Sequence, residues 1–328
     1  MSLRKLLLPA TVFAVVMLSL ASCGGSESNQ DGSDGEFVVG HTYPDLQNPY
    51  YVSLQEATEP LIVQELGYRY IATDSTQDPA KQLTDIENLV SRGVDILFID
   101  AVDPEAVVPG VQAANEADIP VVALVRVPQG GEWESLVFLD HVKHGRVSCQ
   151  YIVDELGGNG GVVELQGIMA TNSGSERSEG CNEALSAAPG VDRIAQQEAD
   201  FSQPDALRSM EDIIQSNQGE IDGVFAANDA MILGAIEALR SSGINPEDKV
   251  TVGVDGTAPA LKAICAGELD ATMATPAANE AEIIARLARK ILNDEEVPER
   301  VEFEGIFTTQ ENVKEVIETS EYDIECEL

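Results

Sequence analysis

The chain has 328 residues, 44 % of them hydrophobic, which is enough for two domains with packed cores. It carries 57 acidic residues against 19 lysines and arginines, a formal net charge of −38 at pH 7. Because a surface of this sign repels phosphate backbones and anionic headgroups, the composition argues against nucleic acid and anionic membrane surfaces as partners.

The N-terminal segment predicts an export signal followed by a tether. Arg4 and Lys5 precede an apolar run, Leu6–Leu20, that is shorter than the roughly 20 residues of a membrane-spanning helix. The run closes with Leu20-Ala21-Ser22-Cys23, which resembles a bacterial lipobox; this resemblance implies lipidation of Cys23. The expected bounds are residues 1–22 for the signal peptide and 23–36 for the lipidated cysteine with a flexible acidic tether. An ordinary signal peptide that contains a cysteine is the alternative.

From Phe37 onward, short apolar runs alternate with helical stretches. Asn48-Pro49, Asp78-Pro79 and Asp103-Pro104 each place a capping side chain before a proline at the first helical position. The predicted strands are Phe37–Gly40, Tyr68–Ala72, Ile96–Ile99, Val121–Val125, Val137–Leu139, Val162–Leu165, Ile194–Gln197, Gly223–Ala226, Val250–Val254 and Ala271–Ala274. Short strands separated by longer helices indicate βαβ units and parallel sheets. Since ten strands exceed one comfortable sheet, we predict an α/β fold with two doubly wound parallel-sheet lobes.

Polar and aromatic residues follow the predicted strands, where doubly wound folds bind their ligands. The candidate binding residues are Asn48, Tyr50, Tyr51, Asp100, Arg126, Arg177, Phe201, Asn228 and Asp255. Planar Asp, Asn and Arg ends can serve two neighbouring hydroxyls, and aromatic faces suit the C–H surface of a sugar ring. Each residue alone could instead be a turn former, a helix cap, a surface ion-pair partner or core filling. Their convergence at equivalent strand ends favours a binding site for a polyhydroxylated ring.

Several segments between Phe37 and about Val301 resemble the type I periplasmic binding proteins, in particular the ribose-binding group. The segments that carry the resemblance are Gln47–Leu54, Asp78–Leu83, Glu164–Gly167, Glu176–Gly180, Ala227–Asp229 and Val252–Thr257. The resemblance implies two lobes, with ligand trapped between them, joined by crossings near Leu139-Asp140, Thr275-Pro276 and Val301–Glu304. The implied lobes comprise residues 37–139 plus 276–302, and residues 140–275 plus 303–328 with the tail.

The resemblance also assigns the nine candidate residues to the sugar. In such proteins the aromatic rings sandwich the sugar, and the arginine, Asp and Asn side chains hold its hydroxyls. Val125, Val254 and Thr275 depart from the pattern, because the family has Asp, an aromatic residue and Gln there. A polar site rejects ligands that leave its groups unpaired, so these departures predict a ligand with another hydroxyl pattern than ribose, or a bulkier one.

The resemblance implies an exported solute-binding lipoprotein, anchored to the cell membrane and facing the periplasm or the outer surface. It would capture a monosaccharide or similar polyol by lobe closure and deliver it to the permease subunits of an ABC importer. We expect a monomeric body with no cofactor, metal or enzymatic activity. One alternative is a component that presents a sugar or furanosyl signal to a chemoreceptor or sensor kinase. An enzyme on this fold, or a lactose-repressor-type regulator, finds no catalytic signature or basic DNA-binding segment in the sequence.

Histidines and cysteines remain outside this scheme. His141 and His144 lie three residues apart, which could place two metal ligands on one helix face, but we expect a solvated face because no third ligand is evident. Cys149 and Cys181 fall on successive predicted helices. A Cys149–Cys181 bridge is one hypothesis, and buried free thiols are the other.

Overall fold

A computed structural model describes residues 36–217, 220–320 and 322–326. The predicted signal peptide, Cys23 and the tether up to residue 35 lie outside the described residues. In the part of the chain that the structure describes, no helix has both the length and the apolar character needed to cross a bilayer.

The first of two sheets has six parallel strands. They are β1 (Val38–Tyr43), β2 (Arg69–Asp74), β3 (Ile96–Ile99), β4 (Val121–Ala123), β5 (Ser135–Phe138) and β11 (Arg300–Glu302), in the spatial order β11-β5-β4-β3-β1-β2. The central strand β3 is buried along its whole length, as expected for a sheet that helices cover on both faces.

The second sheet also has six strands. They are β6 (Gly160–Gln166), β7 (Val191–Glu198), β8 (Gly223–Ala226), β9 (Val250–Asp255), β10 (Ala271–Ala274) and β12 (Ile306–Thr309), in the order β12-β10-β9-β8-β6-β7. All neighbours pair in parallel except β10 and β12, which are antiparallel. The predicted fold class is therefore confirmed, although the two short edge strands β11 and β12 were not among the predicted strands.

Helices flank both sheets. They are α1 (Pro49–Pro60), α2 (Pro79–Ser91), α3 (Val108–Glu116), α4 (His141–Glu155), α5 (Asn172–Ser186), α6 (Gln203–Ser216), α7 (Asp229–Ser241), α8 (Ala258–Cys265), α9 (Ala277–Leu292) and α10 (Val313–Thr319). Asn48 and Asp78 cap α1 and α2 with side-chain oxygens, as predicted. Asp103 instead accepts from the backbone amides of a turn, and α3 begins five residues later at Val108.

The chain crosses between the sheets three times. It passes from β5 to the second sheet, returns after β10, and leaves the first sheet again between β11 and β12. After the second crossing α9 packs on the first sheet, where Ala281, Ile284 and Leu287 join a core that includes Val39 and Phe98. Neither lobe is therefore built from one continuous stretch of chain.

Helices α4 and α5 cross at unusually close range because glycines lie at their contact. A Cβ added to Gly145 would lie 1.9 Å from the Arg177 carbonyl oxygen, and one added to Gly180 would lie 1.9 Å from the Val142 carbonyl oxygen. No side chain larger than hydrogen fits at either position, so glycine sets the separation of the two helices and the place of Arg177.

Two disulfides belong to the second lobe. The bridge between Cys149 and Cys181 joins α4 to α5 with a Cα–Cα distance of 5.0 Å, in agreement with the bridge hypothesis and not with free thiols. A second bridge, not predicted, joins Cys265 at the end of α8 to Cys326, with a Cα–Cα distance of 5.4 Å. It fastens the C-terminal segment, whose Tyr322 and Ile324 also pack on the second-lobe core.

Candidate functional site

A cavity with about 390 Å³ of empty space lies between the lobes, at the carboxyl ends of strands from both sheets. Its size is near the lower end of the roughly 300–1,000 Å³ typical of small-molecule sites. Its lining residues are Asn48, Tyr50, Tyr51, Val125, Arg126, Leu139, Ser173, Arg177, Phe201, Asn228, Asp255 and Thr275. The two lobes thus enclose a small space with aromatic, cationic and polar walls.

Most of the predicted binding residues are brought together here. The eight that line the cavity are Asn48, Tyr50, Tyr51, Arg126, Arg177, Phe201, Asn228 and Asp255. Asp100 is buried beside the cavity, where it faces Tyr51 and Arg126. The sequence did not single out Leu139 or Ser173, which also contribute to the wall. Contact of these side chains with a ligand stays a prediction.

The three departures from the ribose pattern separate in the structure. Val125 and Thr275 line the cavity. Val254 does not, because its side chain is buried in the second-lobe core with Phe225 and Met273. The expectation that Val254 opens space for a ligand therefore needs correction: a residue next to Asp255 on a strand points to the opposite face.

Arg177 is the most constrained cation of the site. Its Nη1 donates to the Ala227 carbonyl oxygen at 2.6 Å and lies 3.4 Å from Asp255 Oδ1, while its Nε donates to His141 Nδ1 at 3.3 Å. Arg177 and Asp255 are both buried. Burial raises the pKa of Asp255, and the Arg177 guanidinium opposes this by favouring the carboxylate.

Arg126 comes from the other lobe and lies between aromatic rings. Its guanidinium carbon is 5.0 Å from the centre of the Phe201 ring and 5.8 Å from that of Tyr51. Its Nη1 is buried without a hydrogen-bond partner among the described residues. Burial raises the pKa of Asp100 to about 6, against the Arg126 charge and a hydrogen bond with Tyr51. Arg126 therefore offers unused donor capacity next to two aromatic faces.

The asparagines have two roles at once. Asn48 Oδ1 accepts from the Tyr50 amide at 3.0 Å, and Asn228 Oδ1 accepts from the Met231 amide at 2.9 Å, so both cap helices. The helix-cap alternative is correct for both residues, yet both also line the cavity. Because their oxygens are engaged, the amide nitrogen of Asn48 is the group left to donate to a ligand.

Backbone strain concentrates at the site. Asp255 has φ 124° and Phe201 has φ 59°, in the left-handed half of the backbone map that non-glycine residues rarely adopt. The end of β9 is held in this conformation by Thr275, whose amide and hydroxyl both donate to the Asp255 carbonyl oxygen, at 2.8 and 3.3 Å. Strain of this kind clusters at ligand sites, where the surroundings over-determine the conformation.

The histidine prediction was wrong. His141 and His144 are both buried, not solvated. The reason is that α4 packs against α5 on one face and the second sheet on another, so little of its first turn is left for water. Among the described residues, no group of three or more potential ligands could hold a metal ion.

A buried carboxyl group that the sequence did not reveal supports Tyr50. Glu280, in the first turn of α9, accepts a hydrogen bond from the Tyr50 hydroxyl at 2.5 Å and is fully buried. Burial raises the pKa of Glu280 from 4.5 to about 8. At neutral pH this side chain is therefore a neutral carboxylic acid that fixes the hydroxyl end of a ring in the cavity wall.

The Glu280→Gln variant is expected to reverse a pH effect on stability. Because the folded-state pKa is raised, the folded protein binds the extra proton between about pH 4.5 and 8, so stability falls as pH rises through that window. The loss is on the order of 4 kcal/mol across the window. Thermal melts at pH 8 should show the variant more stable than the natural protein, with the difference shrinking toward pH 5. Glu282→Gln, exposed on the same helix, is the control; equal pH profiles for all three proteins would contradict the assignment.

Comparisons with known proteins agree with this architecture. The family described as periplasmic binding protein domain matches residues 39–296. The ribose import binding protein RbsB of Bacillus subtilis is 34 % identical over 290 residues, which cover 88 % of this chain and 92 % of that protein. A xylitol-binding protein of Mycolicibacterium smegmatis is 26 % identical over 257 residues, 78 % of this chain and 72 % of that protein.

A solved structure extends the comparison to three dimensions. An ABC transporter solute-binding protein from Bacillus halodurans, with bound myo-inositol, superposes with a TM-score of 0.81 at 28 % identity. The match covers 88 % of this chain and 99 % of that one. Two lobes of parallel sheet, three crossings and an enclosed polar cavity are thus shared with proteins of one type, and the chain belongs to the periplasmic binding protein family, a family of binding proteins and not of enzymes.

Proposed function

We propose that the protein is an extracytoplasmic solute-binding lipoprotein that captures a monosaccharide or similar polyol between its lobes and delivers it to an ABC importer. The observation that carries the proposal is the inter-lobe cavity, which combines two arginines, an aspartate and three aromatic rings. Relatives named for ribose and xylitol, and a structural neighbour with myo-inositol, support the ligand class. The lipid anchor at Cys23 is part of the proposal and rests on the lipobox alone.

Lobe closure is the proposed mechanism. A ligand that contacts both lobes stabilises the closed state, and only this difference in affinity shifts the population. We propose that bending takes place at the three crossings, near the predicted lobe bounds 37–139 plus 276–302 and 140–275 plus 303–328. The closed shape would then dock on the permease.

One inter-lobe contact supports closure without any ligand group. Asn172, at the start of α5, donates from Nδ2 to the Val125 carbonyl oxygen at 3.0 Å and accepts from the Val127 amide at 3.3 Å. One amide side chain of the second lobe thus holds the backbone on both sides of Arg126 in the first. The sequence offered no signal for it beyond an Asn near a helix start.

Asn172→Ala is expected to weaken ligand binding while the fold remains intact. Two hydrogen bonds worth about 0.5–1.5 kcal/mol each are lost only in the closed state, which corresponds to a dissociation constant roughly 5- to 100-fold higher. Isothermal titration measures the change. Asn182→Ala, exposed on the same helix, is the control and should bind as the natural protein does. Unchanged affinity in Asn172→Ala would show that these contacts do not contribute to closure.

The ligand is proposed to differ from ribose. Val125 removes the carboxylate that the ribose-binding group places before its arginine, and Thr275 shortens a wall where Gln is usual. Both line the cavity, so both alter the hydrogen-bonding pattern that a ligand must satisfy. Micromolar binding of ribose, about −8 kcal/mol, would contradict this part of the proposal.

A thermal-shift panel tests the function directly. Pentoses, hexoses, deoxysugars, cyclitols and furanosyl compounds are added to the mature protein, because a binder at 100 times its dissociation constant adds roughly 2.7 kcal/mol to stability. At least one member should raise the melting temperature of the natural protein and leave that of an Arg177→Met variant unchanged. A panel without any shift would refute the proposed ligand class.

A further inference from the structure

His141 is a buried group next to the cavity that does not line it. It begins α4, directly after the first crossing between the lobes. Its ring is fully buried and its Nδ1 accepts a hydrogen bond from Arg177 Nε at 3.3 Å. Since Arg always donates, Nδ1 must carry the lone pair, and the proton of the neutral ring lies on Nε2.

This contact completes the fixation of Arg177. The guanidinium is held at Nε by His141 and at Nη1 by the Ala227 carbonyl oxygen and Asp255. Two sides of a planar fork are thereby tied to the second lobe, and Nη2 is left to face a ligand. Without an acceptor at Nε, rotation of the side chain about its long axis would be resisted only from the Nη1 side.

The surroundings of the ring oppose a positive charge. Arg177 faces it from α5, Arg126 from the segment after β4, and His144 from the next turn of α4; Asp255 is near but lies across the Arg177 guanidinium. Burial, first, and then the Arg177 charge lower the pKa of His141 well below 6.5. On the opposite edge of the ring, the Val125 carbonyl of the first lobe favours a proton, although Nε2 makes no regular hydrogen bond within the described residues.

We propose that His141 is a positioning residue for ligand capture: as a neutral imidazole it fixes the orientation of Arg177, and its protonation breaks that contact and weakens binding. The inference rests on the proposed function of the cavity. In an open form Val125 and Arg126 move away with the first lobe, so water reaches the ring and its affinity for protons rises. Closure then expels the proton, which makes capture of a neutral ligand weaken in acid.

Binding measurements with D-ribose and myo-inositol as probes test the role. His141→Phe, which keeps the ring but has no acceptor, should weaken the tighter probe at least tenfold at pH 7.5. His141→Asn, whose oxygen can replace Nδ1, should stay within about threefold, and His144→Asn, equally buried on the same helix, is the control. Between pH 7.5 and 5.5 the affinity of the natural protein should fall more steeply than that of His141→Asn, since the nearby carboxyl groups are common to both. Equal affinity in His141→Phe, or parallel pH profiles, would overturn the proposal.

A second measurement needs no ligand and separates this inference from the proposed function. His141 and Arg177 both belong to the second lobe, so their contact is expected to persist in the free protein. The chain has three histidines, so nitrogen NMR of the imidazoles can resolve each one. We expect His141 as the Nε2–H tautomer, resistant to protonation at pH 5.5, and titrating at higher pH in Arg177→Met. The Nδ1–H tautomer, or a titration unaffected by Arg177→Met, would refute the contact even if a sugar binds; the expected tautomer would uphold it even if neither probe binds.

Discussion

Replacing Arg177 with methionine is expected to abolish ligand binding in a protein that still folds. Methionine keeps the apolar stem of the side chain but removes every donor. The carboxylate of Asp255, 3.4 Å away and buried, would then have no cationic partner from its own lobe. Breaking a buried ion pair from one side costs about 3–5 kcal/mol, so the dissociation constant should rise roughly 100-fold or more, before the lost ligand contacts are counted.

The measurement is isothermal titration with the tightest ligand of the thermal-shift panel, and circular dichroism establishes that the variant is folded. Arg146→Met is the matched control. Arg146 lies on α4, is half exposed, and approaches Glu183 only to 3.9 Å, so its ion pair contributes little. If Arg177→Met bound within threefold of the natural protein, the assignment of the cavity as the ligand site would be wrong.

Gly145→Ala is expected to be the most destabilising single methyl addition in the second lobe. The new Cβ would meet the Arg177 carbonyl oxygen at 1.9 Å, and both atoms belong to helix backbones that cannot rotate away. The Cys149–Cys181 bridge one turn further along resists separation of α4 and α5. Overpacking typically costs about 1–3 kcal/mol, and here we expect roughly 3 kcal/mol or more, since no flexible side chain can give way.

Thermal and denaturant unfolding measure this loss, which corresponds to a fall in melting temperature of roughly 6 °C or more. Gln150→Ala, at an exposed position of the same helix, is the control and should change stability by less than about 0.5 kcal/mol. Ligand affinity should fall together with stability in Gly145→Ala, because the displaced backbone is that of Arg177. A variant as stable as the natural protein would mean that the helices can separate without cost.

The central strands were predictable from the sequence, and the edges of the sheets were not. Ile96–Ile99, Gly223–Ala226 and Ala271–Ala274 have the predicted bounds, because buried strands must be continuously apolar. The edge strand Val191–Glu198 is longer than its predicted core, since its exposed side chains carry no apolar pattern. Arg300–Glu302 is a strand only because β5 offers it a partner, which three polar-flanked residues cannot announce.

The site divides in a similar way. Residues at strand ends, such as Arg126 and Asp255, could be predicted because topology fixes where strand ends meet. Glu280 could not, since an acidic residue in the first turn of an amphipathic helix usually caps it in water. Its burial depends on α9 returning to the first lobe and facing Tyr50, a relation between residues 230 positions apart. His141 was misjudged for the same reason: the small residues that let α5 approach α4 are visible, but the burial that results is not.

The return of α9 to the first lobe has a consequence for the order of events during biosynthesis. The apolar side chains of α1 remain uncovered until α9, more than 200 residues later, has been made, and the first sheet lacks its β11 edge until residue 302. The N-terminal half therefore cannot complete its core while the ribosome is still translating the second lobe. Such a chain stays pliable until almost its last residue, which suits a protein that must be threaded through a translocation channel before it takes its final shape.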